Sequence, residues 1–240
     1  SLDKSKYQVV LFDSAKVDNK HGIAYMAMSQ FLLSLGLMNN WIGLMEYHLL
    51  LNDQYEEFLQ KVEVQNDGSK WTDLRRNMMN TMRVFRKAMI AIMGEEDFKD
   101  TEKIAQERID TYDSSKLKED LSLYLEKHPQ DKVVFFIDEV SEAITQKKID
   151  ILELEGLSES LSGLGNRVWT IGIAQQAFND VLNASGLNKS KLEKVEARFK
   201  TRIPIAAEEI DKIIRKRLLD KTDAGKQELK AYYVKNSGMI

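Results

Sequence analysis

The segment KVVFFIDEV, Lys132 to Val140, constrains the fold more than any other part of this sequence. Val133 to Ile137 is an uninterrupted apolar run, although 30% of the chain is charged, and it ends on the adjacent carboxylates Asp138 and Glu139. A short apolar run rich in β-branched and aromatic residues is typical of a strand buried on both faces. The segment therefore predicts a central strand of a parallel sheet, with two acids at its carboxyl end.

The composition excludes several classes of protein. The 240 residues are 43% apolar, which is enough for one large domain or two small ones. A formal net charge of −3 gives no global field that would attract DNA or an anionic membrane, so any nucleic-acid contact must be local. The absence of cysteine excludes disulfides and thiolate metal sites. With no signal peptide and no apolar run near the ~20 residues of a membrane span, we expect a soluble, cytoplasmic protein.

Strand and helix patterns alternate at both ends of the chain. Tyr7 to Phe12 predicts a buried strand, and a helix from Ile23 to Leu37 follows, with Gly36 near its end. Val168 to Ile173 predicts a third strand. The other expected elements in this part are helices at 149–164, 175–184, 189–199 and 210–219, and a short edge strand at 203–205. Strands separated by helices predict an α/β fold, a parallel sheet covered by helices on both faces.

A long helical stretch interrupts this alternation. Apolar residues at spacings of three and four predict one helix over 41–64, and a second helix begins after Thr72 and ends at Gly94. A further helix precedes Pro129. We therefore expect a first strand–helix unit at 1–40, a helical insertion at 41–128, the rest of the sheet at 129–206 and the start of a helical lid at 207–240.

The two carboxylates suggest a specific chemistry. Ligands of parallel sheets bind outside the carboxyl ends of the strands, where Asp138 and Glu139 are expected. The pattern has the form of a Walker B element, in which Asp138 holds Mg²⁺ through water and Glu139 takes a proton from the water that attacks ATP. The alternative is that Asp138 only caps the next helix and Glu139 complements its dipole.

The order of later residues favours the ATPase interpretation. Gln175 follows the next strand, where ATPases of the AAA+ kind place a polar sensor, and Arg198 precedes the last short strand, where they often keep an arginine for a neighbouring subunit's nucleotide. Arg198 and Arg202 are thus candidates for phosphate contacts, or they pair with Glu193 or Glu208.

One element of such an ATPase is absent from the sequence. No G-x-x-x-x-G-K-[ST] motif occurs, so no Walker A loop can cradle the phosphates. We expect the motif to lie upstream of Ser1 and this segment alone to be inactive. A natural, degenerate NTPase fold is the alternative.

The run LEKVEARFKTRIPIAAEEIDKIIRKRLLDK, Leu192 to Lys221, together with FFIDEV and NRVWTIGIAQQ, resembles the BrxC/PglY family, large P-loop ATPases of BREX phage-defence systems. The likeness covers residues 130–235 well and 7–37 loosely. Ala197 departs from the glycine expected there, and Ala174-Gln175-Gln176 departs from Ser-Gln-Glu. The resemblance implies ATP and Mg²⁺ as ligands of the full-length protein, other BREX proteins as partners, and a homo-oligomer in the longer protein. Without a Walker A loop, we expect neither ligand to bind tightly to this segment alone.

A basic face in the insertion suggests a second class of function. Residues 70–93 contain six basic residues and one acidic residue. Such a face could contact DNA phosphates, or it could be solvated or pair with the acidic stretch at 95–126. The candidate DNA contacts are Arg75, Arg76, Arg83, Arg86 and Lys87. In this alternative the chain is a non-catalytic scaffold or a DNA-binding module.

Overall fold

A computed structural model of the chain describes residues 6–76, 78–174, 198, 199, 201, 203 and 221–236. The chain divides into two compact units, Ser1–Arg198 and Phe199–Ile240. In the second unit the structure describes one helix, Asp223–Asn236. The first unit contains the sheet. The helices predicted at 175–184, at 210–219 and over most of 189–199 lie outside the described residues, as does most of the strand at 203–205.

Three parallel strands form the described sheet: β1 (Lys6–Asp13), β2 (Asp131–Asp138) and β3 (Val168–Gly172). Their order is β1-β2-β3, so β2 pairs on both sides. The register aligns the last residues of β1 and β2, Asp13 with Asp138. The predicted α/β fold with a parallel sheet is confirmed, as is the position of β2 between two other strands.

The two faces of the sheet differ in exposure. On the inner face Val10, Phe12 and Phe135 are buried. On the other face Val9 is 52% and Leu11 65% exposed. We call this second surface the outer face; the register and the strand alternation assign to it Tyr7, Val9, Leu11, Lys132, Val134, Phe136, Trp169 and Ile171. The described helices cover the inner face, and the helices predicted after β3 lie mostly outside the described residues.

The helices follow the chain in a simple order. They are α1 (Gly22–Ser34), α2 (Trp41–Leu51), α3 (Tyr55–Gln65), α4 (Trp71–Leu74), α5 (Met78–Met93), α6 (Glu95–Asp110), α7 (Ser114–Lys127), α8 (Val140–Thr145) and α9 (Ile151–Ser162). Of these, α1 packs on β1 and α9 on β3, and α7 contacts both helices. Phe31 of α1 links this layer to the sheet, since its ring lies 5.2 Å from that of Tyr124 and 6.5 Å from that of Phe135. Right-handed crossovers that advance in one direction explain why the helices share the inner face.

The helical stretch between β1 and β2 has its own core. Phe58, Trp71, Phe85 and Phe98 are buried there and their rings contact one another. The prediction of one helix over 41–64 is wrong, because the chain turns between α2 and α3, where Asp53 has a φ of 59°. The second predicted helix is likewise divided, between α4 and α5. Its predicted end at Gly94 is confirmed, since α5 ends at Met93 and Gly94 has a φ of 90°.

A buried carboxylate lies beside this core. Glu46 of α2 is 0% exposed. Its Oε1 accepts hydrogen bonds from Trp71 Nε1 (2.6 Å) and the Tyr55 hydroxyl (3.1 Å), and its Oε2 accepts one from the Met38 amide (2.7 Å). Burial raises the pKa of Glu46, and these hydrogen bonds counteract part of that rise. Glu46 therefore joins α2 to α3, to α4 and to the loop before α2.

Candidate active site at the carboxyl edge of the sheet

Two neighbouring strands end on a carboxylate at the same edge of the sheet. Asp13 closes β1 and Asp138 closes β2, in register, and Glu139 follows directly. Adjacent strands lie about 4.8 Å apart, so these acids are close neighbours. Asp138 and Glu139 were predicted from the sequence, whereas Asp13 was not, although the same signal, an apolar run ending on an acid, is present in VVLFD.

The main chain at Asp138 is held by both neighbouring strands. The Ser14 amide (2.9 Å) and hydroxyl (2.7 Å) both donate to the Asp138 carbonyl oxygen. On the other side, Ile173 donates to the Ile137 carbonyl (2.8 Å) and accepts a hydrogen bond from the Val140 amide (3.1 Å). The end of β2 is therefore fixed on both sides.

Glu139 has an unusual backbone conformation. Its φ of 55° and ψ of 32° lie in the left-handed region, which non-glycine residues adopt infrequently. Residues in such conformations cluster at functional sites. Glu139 is the N-cap residue of α8, but its side chain makes no capping hydrogen bond, and Asp138 Oδ1 accepts one from the Glu139 amide (2.8 Å) instead. The N-cap position therefore belongs to Glu139, and Asp138 binds the amide of this N-cap residue rather than the second or third amide of the helix.

A lysine partly neutralises the acidic edge. Lys16 Nζ lies 2.6 Å from Asp13 Oδ2, while Asp13 Oδ1 accepts a hydrogen bond from the Ala15 amide (3.0 Å). The hydrogen bond from Lys16 lowers the pKa of Asp13 below its usual value. In turn, Asp13 raises the pKa of Lys16, and the charges of Glu139 and Glu142 add to this effect. Lys16 thus keeps the Asp13 carboxylate ionised beside Asp138.

The residues at this edge fit one part of a magnesium–ATP site. Carboxylate and hydroxyl oxygens are ligands that suit Mg²⁺, which usually keeps several waters and needs only one or two carboxylates. Within the described residues no group of three or more His, Cys, Asp or Glu could hold a metal ion by itself. Asp138 supplies a carboxylate of the kind that can contact Mg²⁺ through water. A phosphate cradle does not fit, because the sequence has no glycine-rich loop of the required pattern.

The remaining predicted site residues are not brought to this edge by the described structure. Gln175 and Arg202 lie outside the described residues. Arg198 binds α9, with its Nε 3.3 Å from Glu155 Oε1 and a second ion pair to Glu159. The carboxylate partners predicted for it, Glu193 and Glu208, lie outside the described residues.

Intramolecular contacts engage much of the basic face of the insertion. Arg86 pairs with Glu102 of the acidic helix α6 (3.1 Å) and lies over the Phe98 ring. Arg75 donates to the Gly36 carbonyl (2.6 Å), and Arg83 to Asn80 (2.7 Å). Arg76 lies 3.9 Å from Asp73, and Lys87 is exposed. These contacts favour pairing within the protein over contact with DNA.

We expect the amount of duplex DNA retained on filters at about 50 mM salt to be the same for the wild type and for the double variant Arg83→Gln/Lys87→Gln. A DNA interface on this face would instead bind DNA with an affinity that falls steeply towards about 200 mM salt, because counterions are released from the phosphates. Such binding, if lost in this variant but kept in the control Lys99→Gln/Lys103→Gln on α6, would establish the interface and contradict the expectation.

No protein-family model matches the sequence, and no solved structure matches the chain significantly. No helix in the described part of the chain combines the length and the apolar character that crossing a bilayer requires.

Proposed function

We propose that this chain belongs to an ATP-binding and ATP-hydrolysing P-loop ATPase with an AAA+-like fold, and that it acts in BREX-type phage defence in the cytoplasm. One observation carries the ATPase part. Asp138 and Glu139 are adjacent at the carboxyl end of a strand paired on both sides in a parallel sheet, and Glu139 has a left-handed backbone. Ligands of open α/β sheets bind at this edge. The BREX part rests on the sequence resemblance alone.

The proposed roles follow from the chemistry of each side chain. Asp138 would hold Mg²⁺ through water, and this ion neutralises charge on the phosphates when bound. The Glu139 carboxylate accepts a proton from the attacking water. Gln175 would act as the polar sensor, and Arg198 and Arg202 would contact a neighbouring subunit's nucleotide in a homo-oligomer. For Arg198 this requires release from Glu155 and Glu159.

The outer face suggests where the missing phosphate cradle would attach. The chain passes from β1 to β2 to β3 in one direction, so right-handed crossovers place their helices on the inner face. A crossover in the opposite direction, from a strand beyond β3 to β1, would place its helix on the outer face. Such a strand would create a reversal of strand order beside β3, and ligands bind at such reversals. We therefore expect the Walker A strand to pair with the edge of β3 that faces away from β2.

The test compares variants of a polypeptide that carries a G-x-x-x-x-G-K-[ST] loop together with these residues. We expect Glu139→Gln to lower ATP turnover by about 10²- to 10⁴-fold while ATP binding is kept, because the general base is lost and the nucleotide contacts remain. Glu142→Gln is the matched control, since Glu142 is an exposed glutamate in the first turn of α8. The 240-residue chain alone should not hydrolyse ATP.

The competing function is a non-catalytic scaffold, and the missing phosphate cradle is the observation that favours it. Equal turnover in Glu139→Gln and Glu142→Gln would support that function and contradict ours. If the 240-residue chain alone hydrolysed ATP, and Glu139→Gln abolished this activity, the requirement for a phosphate cradle outside these residues would be contradicted. A gene whose upstream sequence lacks the G-x-x-x-x-G-K-[ST] motif would also favour the scaffold.

A further inference from the structure

We infer that Ser14 is a positioning residue for the acidic pair, holding the Asp138–Glu139 peptide so that the Asp138 carboxylate is oriented for a divalent cation. This inference rests on the proposed function, because it assigns a purpose to the same edge of the sheet. It concerns a residue that the sequence pattern did not single out, on a strand other than the one that carries the two acids.

Ser14 is placed and buried as such a role requires. It follows the last residue of β1 and is 0% exposed. Its amide and its hydroxyl donate to the same acceptor, the Asp138 carbonyl oxygen, at 2.9 and 2.7 Å. In a parallel sheet, the hydrogen bonds between strands are donated by backbone amides only. The hydroxyl bond is therefore an additional contact, from a side chain with no access to solvent.

These two bonds act on the carboxylate through one peptide plane. The Asp138 carbonyl and the Glu139 amide belong to the same planar unit, so fixing the oxygen also fixes the direction of the N–H. That N–H donates to Asp138 Oδ1 at 2.8 Å. The orientation of this plane also contributes to the φ of 55° at Glu139. Ser14 thus orients the first carboxylate and supports the left-handed conformation of the second.

Removal of the hydroxyl should weaken cation binding without removing a ligand. In Ser14→Ala the hydrogen bond from the backbone amide of residue 14 remains, but the Asp138–Glu139 peptide loses one of its two hydrogen bonds. Groups that do not bind the metal but orient a metal-binding carboxylate through hydrogen bonds typically contribute about 10-fold or more to metal affinity. We therefore expect Ser14→Ala to raise the Mn²⁺ concentration needed to occupy the edge by about 10-fold.

Paramagnetic NMR of the ¹⁵N-labelled 240-residue chain tests this with Mn²⁺ as the probe. In the wild type, Mn²⁺ should broaden the amide signals of residues 13, 14 and 138–142 first, and Asp138→Asn should abolish this. Ser14→Thr keeps the hydroxyl and should bind as the wild type does. The control is Ser29→Ala, since Ser29 is also buried but donates only within α1, to the Met26 carbonyl (2.8 Å).

The outcomes separate this inference from the proposed function. Absence of broadening at the edge in the wild type would contradict the cation site and the role of Ser14 with it, whereas ATP turnover of the longer polypeptide and its Glu139→Gln variant tests the proposed function separately. Broadening at equal Mn²⁺ concentrations in wild type and Ser14→Ala would overturn the role of Ser14 alone. Should Ser14→Ala not fold, hydrogen exchange of the wild type decides, because a held peptide requires a slowly exchanging Glu139 amide and fast exchange overturns the inference.

Discussion

Replacing Gly43 with alanine is expected to prevent the helical stretch from folding as it does in the structure. Gly43 lies in the first turn of α2, against the loop that precedes the helix. An ideal Cβ at this position would lie 1.6 Å from the Met38 carbonyl oxygen and 2.4 Å from its carbon. Both atoms are backbone, so no side-chain rotation relieves the overlap. We expect a loss of at least about 3 kcal/mol in the free energy of unfolding, measured by urea denaturation.

Gly156→Ala is the matched control for this substitution. Gly156 lies inside α9, and a Cβ there would meet no atom within 4 Å. Alanine favours a helix interior over glycine by about 1 kcal/mol, so this variant should be slightly more stable than the wild type. The same chemical change thus has opposite expected signs at two positions. Similar stability of the two variants would show that the loop at Met38 does not approach α2 as described.

Glu46→Gln should destabilise the helical stretch by about 1 to 3 kcal/mol, again measured by urea denaturation. The carboxylate offers two acceptor oxygens to three donors, from Met38, Tyr55 and Trp71. Glutamine has the same shape but only one oxygen. Its NH₂ group must therefore face at least one of these donors, and a buried donor is left without a partner.

Glu63→Gln serves as the control for Glu46→Gln. Glu63 lies on α3 with an exposed side chain, so the loss of its charge should change the free energy of unfolding by less than about 0.5 kcal/mol. Equal effects of the two variants would mean that Glu46 is not a buried acceptor. The comparison separates the loss of one negative charge from the loss of a hydrogen-bond acceptor.

The strands could be predicted because burial of a strand in a parallel sheet requires an uninterrupted apolar run in the sequence. Val133 to Ile137 is apolar throughout, and the structure places β2 between two parallel partners. The outer face could not be predicted in the same way. Leu11 and Phe12 are equally apolar in the sequence, yet Leu11 is 65% and Phe12 4% exposed. Which apolar residue is covered depends on the chain direction and on the crossovers, and a local pattern contains neither.

The helix breaks were missed because the apolar spacing continues across them. Between α2 and α3 the chain turns at Asp53 without glycine or proline, since aspartate can adopt the left-handed conformation found there (φ 59°). Glu46 was missed for a related reason. A carboxylate within an apolar stripe has no local signal of burial, because its partners Trp71 and Met38 are distant in sequence or outside the helix.

At the candidate site the sequence indicated the two acids on β2 but not their support. The strand–acid pattern of β1 was available in VVLFD, and it would have indicated Asp13. Ser14 could not be found in this way, because its two hydrogen bonds join residues 124 positions apart. Its contact depends on the register of β1 against β2, which only the three-dimensional structure supplies.

The difference between the two faces of the sheet has a consequence for how homologous sequences should diverge. Leu11 and Phe12 are neighbours in the chain, but the first belongs to the outer face and the second to the core beneath the helices. Position 12 should vary only together with the residues that pack on it within this polypeptide. Position 11 should covary with whatever surface it meets beyond these helices, so adjacent codons would record the evolutionary history of two different contacts.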